Sequence, residues 1–156
     1  LSKNSLKIIE RGCTGCLLCD HGQQLLIASE SSNLSRVRDQ IRLIGEHCSL
    51  SDHEIFDIQV AVGEAVANAI EHGSPEGTDN CVEITTNCDG EFLLIIVKDE
   101  GRFIRRMPDP APDAETNFRG RGIPLMLALM DRVTIDEAAR GTQVVLMKRL
   151  SNRGDE

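Results

Sequence analysis

The sequence predicts an α+β domain, a two-layer α/β sandwich in which a mixed, mainly antiparallel sheet is covered on one face by helices. Three observations carry this expectation. Residues 34–48 and 51–72 repeat apolar side chains every three or four positions, the period of amphipathic helices. Two apolar runs, 81–87 and 91–99, flank Asp89-Gly90, a pair suited to a tight hairpin turn. Helix and strand patterns do not alternate strictly along the chain, so a parallel sheet built from βαβ units is disfavoured.

The elements follow in order. Residues 1–21 show no clear period and hold three of the six cysteines. "QQLLIAS" (23–29) reads as a first strand, and "SSN" (31–33) offers helix-capping side chains. Leu34, Val37, Ile41, Ile44 and Cys48 form the stripe of a first helix. A second helix opens at "SDHE", where Ser51 and Glu54 have capping-box spacing. Its stripe is Ile55, Ile58, Val62, Val66 (with Ala65) and Ala69. In the hairpin, "EFLLIIVKD" (91–99) reads as a buried strand. Residues 100–121 form a long connection with Pro108, Pro110 and Pro112, a length typical of a lid, a binding loop or a disordered segment. "GIPLMLALMDRV" (122–133) reads as a third helix, with Pro124 in its first turn. "RVTIDEA" and "GTQVVLMKRL" close the chain as two strands joined near Gly141. The expected organisation is a cysteine-bearing segment (1–21), one domain (22–150) and a short tail (151–156).

Charge and composition exclude some functions. The net charge of −8 disfavours nucleic-acid binding, which needs a basic face. Trp and Tyr are absent, so no aromatic platform for stacking bases is expected. No apolar run is long enough to span a membrane and no leader pattern is visible, so a cytoplasmic location is expected. In that compartment the cysteines are reduced thiols or metal ligands.

Four polar stretches stand out. On the second helix Glu64 and Asn68 are four residues apart and fall on the side away from Val62, Val66 and Ala69, next to Ala61 and Ala65. An Asn offers a neutral oxygen to Mg²⁺, and a Glu orients or deprotonates a nucleophile; the same pair also fits a solvated helix face. Asp99 ends an apolar strand and is followed by Gly101. This suits a carboxylate that accepts from an exocyclic amine, with backbone close to a flat ring, and equally a plain turn. Gly120 and Gly122 precede the third helix, where free N–H groups cradle an anion, with Arg119 and Arg121 adding positive charge; a flexible helix start fits as well. Thr142 begins the last strand, its hydroxyl either facing a ligand or packing.

In order, spacing and setting, these stretches resemble the Bergerat-fold ATPases of the gyrase, chaperone, histidine-kinase and mismatch-repair (GHKL) superfamily. "GEAVANAIEHG" resembles the N box, "DEGRF" the first glycine box, "RGRGIPLM" the second, and "GTQV" the closing G-T motif. The resemblance covers about residues 22–150. The stand-alone form and "LMLALMDRV" (125–133) are similar to the bacterial anti-sigma-factor serine/threonine kinases. That resemblance implies binding of ATP and Mg²⁺ and phosphorylation of a STAS-type anti-sigma-factor antagonist, with a sigma factor as second partner and a homodimer as the common assembly. It implies Glu64 as general base, Asn68 as Mg²⁺ ligand, and Asp99 as acceptor from the adenine amine, with Gly101 and Thr142 nearby. It implies Gly120, Arg121, Gly122 and the helix they precede as the phosphate site, which suffices where catalysis is mainly positioning. Arg36 matches a partner-facing position, and His72 reads as a structural histidine near a helix end. The chain departs from the pattern in Arg102, which follows Gly101 where many members have a small residue. The alternative is a non-catalytic ATP-binding interaction module, gated by the N-terminal cysteines. There Cys13, Cys16 and Cys19 have C-x2-C-x2-C spacing. It resembles the start of an iron–sulfur run without its fourth cysteine, or, with His21, a Zn²⁺ site; reduced thiols are the third reading.

Overall fold

The computed structural model describes residues 7–11, 22–74, 76–100, 122–138 and 141–150. Nine elements build it: β1 (Lys7–Arg11), β2 (Gly22–Ala28), α1 (Leu34–His47), α2 (Asp52–His72), β3 (Cys81–Cys88), β4 (Phe92–Lys98), α3 (Gly122–Leu129), β5 (Arg132–Ala138) and β6 (Gly141–Arg149). The strands form one sheet in the order β1-β2-β3-β4-β6-β5. Every pairing among the described residues is antiparallel, so the mixed character expected of the sheet is not found.

Local sequence explains most of the boundaries. Ser51 caps α2: its hydroxyl accepts the Glu54 N–H at 3.1 Å, and Glu54 accepts the Ser51 N–H at 2.7 Å. Ser31–Asn33 is a 3-10 turn before α1. Asn33 caps nothing with its side chain; it donates instead to the Ala28 carbonyl at 3.0 Å, tying β2 to α1. α1 ends with the Leu50 N–H on the Gly45 carbonyl and the Ser49 N–H on Glu46, a Schellman closure. Gly90, at φ +89°, makes the β3–β4 turn, and Asp89 accepts the Glu91 and Phe92 N–H groups. β1 was not foreseen in the sequence. The third helix stops at Leu129, four residues short of the expected end, because Val133 and Ile135 pair with Leu146 and Val144 as strand.

The helices cover one face of the sheet. Ile58, Val62, Val66 and Ala69 of α2 are buried in one cluster with Val37, Ile41 and Ile44 of α1 and Met126 of α3, and Ile55 is buried against Gly45 of α1. Leu25, Ile27, Val82, Ile84, Leu93, Ile95, Val97, Val144 and Leu146 supply the sheet side. β4, expected to be buried throughout, alternates: Leu93, Ile95 and Val97 are buried, Phe92, Leu94 and Ile96 half-buried. α2 packs beside both α1 and α3. Among the described residues no helix is long and apolar enough to cross a membrane.

Candidate functional site

The sheet and α2 converge at one end. α2 runs 21 residues, about 30 Å, and its last turn meets the end of β4. There Asp99 leaves the sheet with its backbone N–H on the Thr142 carbonyl at 3.0 Å, while its Oδ1 accepts the Thr142 N–H at 3.0 Å. The carboxylate is therefore clamped to the start of β6. Gly73 lies against it. A Cβ on Gly73 would stand 2.2 Å from both Cγ and Oδ2 of Asp99. Gly73 has φ −96°, open to any residue, so space and not conformation requires the glycine. Gly141 closes the other side: φ is +128°, and a Cβ would stand 1.9 Å from the Asp99 carbonyl oxygen.

A polar network fixes the surrounding loops. The Ser74 hydroxyl bonds the Ala69 carbonyl (2.9 Å) and the Ser29 hydroxyl (2.6 Å). Asn80 accepts the Glu76 N–H (2.7 Å), donates to Glu100 Oε2 (2.8 Å), and takes the Ser29 N–H on its carbonyl (2.9 Å). Three segments (the end of β2, the loop after α2 and the Asp99–Glu100 turn) thus meet at one residue, the first through its backbone carbonyl and the other two through its side chain.

Glu64 and Asn68 are half-buried on the outward side of α2, one turn apart. Asn68 lies about 8 Å along the helix axis from Gly73, the residue against which the Asp99 carboxylate packs. The alanines named with them in the sequence play another part. Ala61 and Ala65 are fully buried, letting neighbouring elements close on α2. The small residues beside the polar pair are Gly63 and Ala67; a Cβ on Gly63 would meet nothing within 4 Å. The arrangement fits a nucleotide with a hard cation: a fixed carboxylate for an amine, a carboxylate and an amide oxygen one turn apart, and open space beside them. α3 starts at Gly122 and packs against α2.

Of the other expected residues, Thr142 is buried at 2% exposure, contributing through its backbone. Arg36 is exposed on α1. His72 lies in the last turn of α2, exposed, with Nε2 3.4 Å from the neighbouring Glu71. Gly101, Gly120, Arg121, Cys13, Cys16, Cys19 and His21 lie outside the described residues. Among the described residues no group of three His, Cys, Asp or Glu side chains is placed to hold a metal. Gly73, Ser74 and Asn80 were missed in the sequence. Gly73 ends the "GEAVANAIEHG" stretch but was assigned no role of its own there.

The same set of elements occurs in known proteins. The family described as "Histidine kinase-like ATPase domain" matches residues 27–148. The anti-sigma F factor of Bacillus velezensis is 36% identical over 104 residues, 63% of this chain and 71% of that protein. The anti-sigma F factor of Clostridium botulinum (strain Eklund 17B / Type B) is 30% identical over 141 residues, 85% of this chain and 96% of that protein. A crystal structure of the RsbU and RsbW domains of a Mycobacterium tuberculosis protein superposes with a TM-score of 0.63 at 22% identity. It covers 83% of this chain, which spans only 32% of the mycobacterial one. A histidine kinase domain from a blue-light-activated kinase of Erythrobacter litoralis gives 0.52 at 20% identity, covering 80% and 66% of the two chains. By sequence and by fold, the chain belongs to the histidine kinase-like (GHKL, Bergerat-fold) ATPases, in the branch of the anti-sigma factors.

Proposed function

We propose that the protein is an ATP-dependent serine/threonine kinase that acts as an anti-sigma factor and phosphorylates a STAS-type antagonist protein. The observation that carries this is the clamped Asp99 carboxylate at the end of the helix that bears Glu64 and Asn68. Asp99 accepts from the adenine amine, held in place by the Thr142 N–H and the wall that Gly73 leaves open. Asn68 offers its amide oxygen to Mg²⁺. The N-terminus of α3, with Gly122, takes phosphate on its free N–H groups, joined by Gly120 and Arg121; Gly101 gives the base room. Bound ATP supplies the phosphoryl group, and Mg²⁺ neutralises its charge.

Glu64 orients the antagonist's hydroxyl and takes its proton. Phosphoryl transfer is dominated by positioning and charge, so one base on a rigid helix is sufficient. Partner binding is assigned to the outward face of α1. Arg36 and Leu43 are seven residues apart and share that face, and Leu43 is 61% exposed. The sigma factor and a second copy of the chain are the proposed partners besides the antagonist.

The test is transfer of labelled γ-phosphate to a purified STAS-type antagonist. Glu64→Gln is expected to keep nucleotide affinity within about twofold while transfer falls by roughly 10²–10⁴. Equal transfer in the variant overturns the assignment of the base.

A further inference from the structure

The end of β4 that leads into Asp99 is tied differently on its two sides. Toward β6, Asp99 exchanges two hydrogen bonds with Thr142. The Asp99–Glu100 peptide also lies on Gly141, where a Cβ would stand 1.9 Å from the Asp99 carbonyl oxygen and 3.1 Å from the Glu100 Cα. Toward β3 the strand ladder ends at Glu83 and Lys98, one residue short of Asp99. Beyond it the tie is a side chain: Asn80 Nδ2 donates to Glu100 Oε2 at 2.8 Å.

Asn80 is built as a fixed post. It is buried, at 6% exposure. Its N–H donates to the Gly77 carbonyl (3.1 Å), its carbonyl accepts the Ser29 N–H (2.9 Å), and its Oδ1 accepts the Glu76 N–H (2.7 Å). These bonds fix the backbone and the amide plane, and so set the direction of Nδ2. The same post reaches the Gly73 side of the site. The Ser29 hydroxyl accepts from Ser74, and Ser74 follows Gly73, the residue against which Asp99 packs. Glu100 itself is exposed. A bond to an exposed carboxylate adds little to stability, since water serves that group nearly as well. What the bond fixes is the course of the chain beside Asp99.

We propose that Asn80 is a positioning residue for the nucleotide base: through Glu100 it holds the Asp99 carboxylate at the place an exocyclic amine needs. The proposal rests on the reading of Asp99 as the acceptor from the adenine amine. Asn80 acts through Glu100 and Asp99, not by touching the nucleotide. Its effect therefore falls on the affinity that the amine supplies and leaves the phosphate contacts unchanged.

The experiment titrates the full chain calorimetrically with ATP and with purine riboside triphosphate, which lacks the amine, both with Mg²⁺. Asn80→Asp keeps the shape and the acceptor for Glu76 but removes the donor to Glu100. It is expected to weaken ATP binding about tenfold and purine riboside triphosphate binding less than about twofold. Glu100→Gln alone keeps an acceptor for Asn80, so both affinities should stay within about twofold of the parent. Joined to Asn80→Asp, it supplies the donor instead, the bond re-forms in reverse, and ATP affinity should return to within about threefold of the parent. Without nucleotide, amide exchange of the Thr142 N–H, which Asp99 accepts, should be about tenfold faster in Asn80→Asp and slow again in the double variant. Equal loss of both nucleotides, no recovery in the double variant, or unchanged Thr142 exchange overturns the proposal. A parent that binds the two nucleotides equally overturns the reading of Asp99, and the proposal with it. A parent that prefers ATP, with an Asn80→Asp variant that keeps the full preference, overturns the role of Asn80 alone.

Discussion

The Asp99 carboxylate occupies the space in which a side chain at Gly73 would begin, 2.2 Å from the position of a Gly73 Cβ. The two residues are 26 positions apart in the chain. Their contact brings the helix of Glu64 and Asn68 to the carboxylate that the Thr142 N–H holds from the other side. One glycine thus sets the spacing between the two halves of the candidate site.

Adding a methyl there should be costly. Gly73→Ala is expected to lower stability by about 1–3 kcal/mol, the range for overpacking, because the neighbour that must shift is clamped. Displacement of Asp99 should also weaken ATP binding at least tenfold, about 1.4 kcal/mol. Gly63→Ala is the control on the same helix. Its Cβ meets nothing within 4 Å, so the substitution should stabilise by about 0.5–1 kcal/mol. Denaturation midpoints of the two variants, moving in opposite directions, check the account.

Ser49 closes α1 in the left-handed region at φ +59°, where a side chain costs roughly 1 kcal/mol and glycine is at ease. Ser49→Gly should therefore raise stability by about 0.5–1 kcal/mol, read from urea unfolding. A loss would mean that the Ser49 side chain makes a compensating bond.

Asp89 predicts a pH dependence. The Phe92 N–H, then the Glu91 N–H, hold its carboxyl below the ordinary value of 3.8. A depressed folded value means that the unfolded chain takes up the proton first. The contribution is complete above the ordinary carboxylate range and is lost as pH falls through and below it. Asp89→Ala should unfold more readily at neutral pH, and the gap to the parent should narrow as pH is lowered below about 4. A gap that stays constant across that range would contradict the assignment.

What could be read from the sequence was local. The capping box of Ser51 and Glu54, the Asp89-Gly90 hairpin and the stripe of α1 are encoded within a few residues, and each was legible. β1 was not, because "KIIER" has no strong alternation and is strand through its pairing with β2. The end of α3 was misplaced because Val133 fits either period, and only β6 decides between them. Glu64 and Asn68 were placed on the outward side of α2, as found, and Ala65 was read with the buried stripe, but Ala61 was not foreseen as core. A helix flanked by α1 on one side and α3 on the other buries more than a single stripe. The contacts of Asp99 with Gly73 and Thr142 span 26 and 43 residues, and no local pattern announces them.

The central claim is that Asp99 and the Glu64–Asn68 face of α2 bind a magnesium nucleotide. Calorimetric titration with ATP, with and without Mg²⁺, tests it most directly; Trp and Tyr are absent, so their intrinsic fluorescence offers no signal. Saturable, Mg²⁺-dependent binding that weakens at least tenfold in a folded Asn68→Ala variant is the predicted result, about 1.4 kcal/mol or more. Absence of heat in folded parent protein, or equal affinity in the variant, would contradict it.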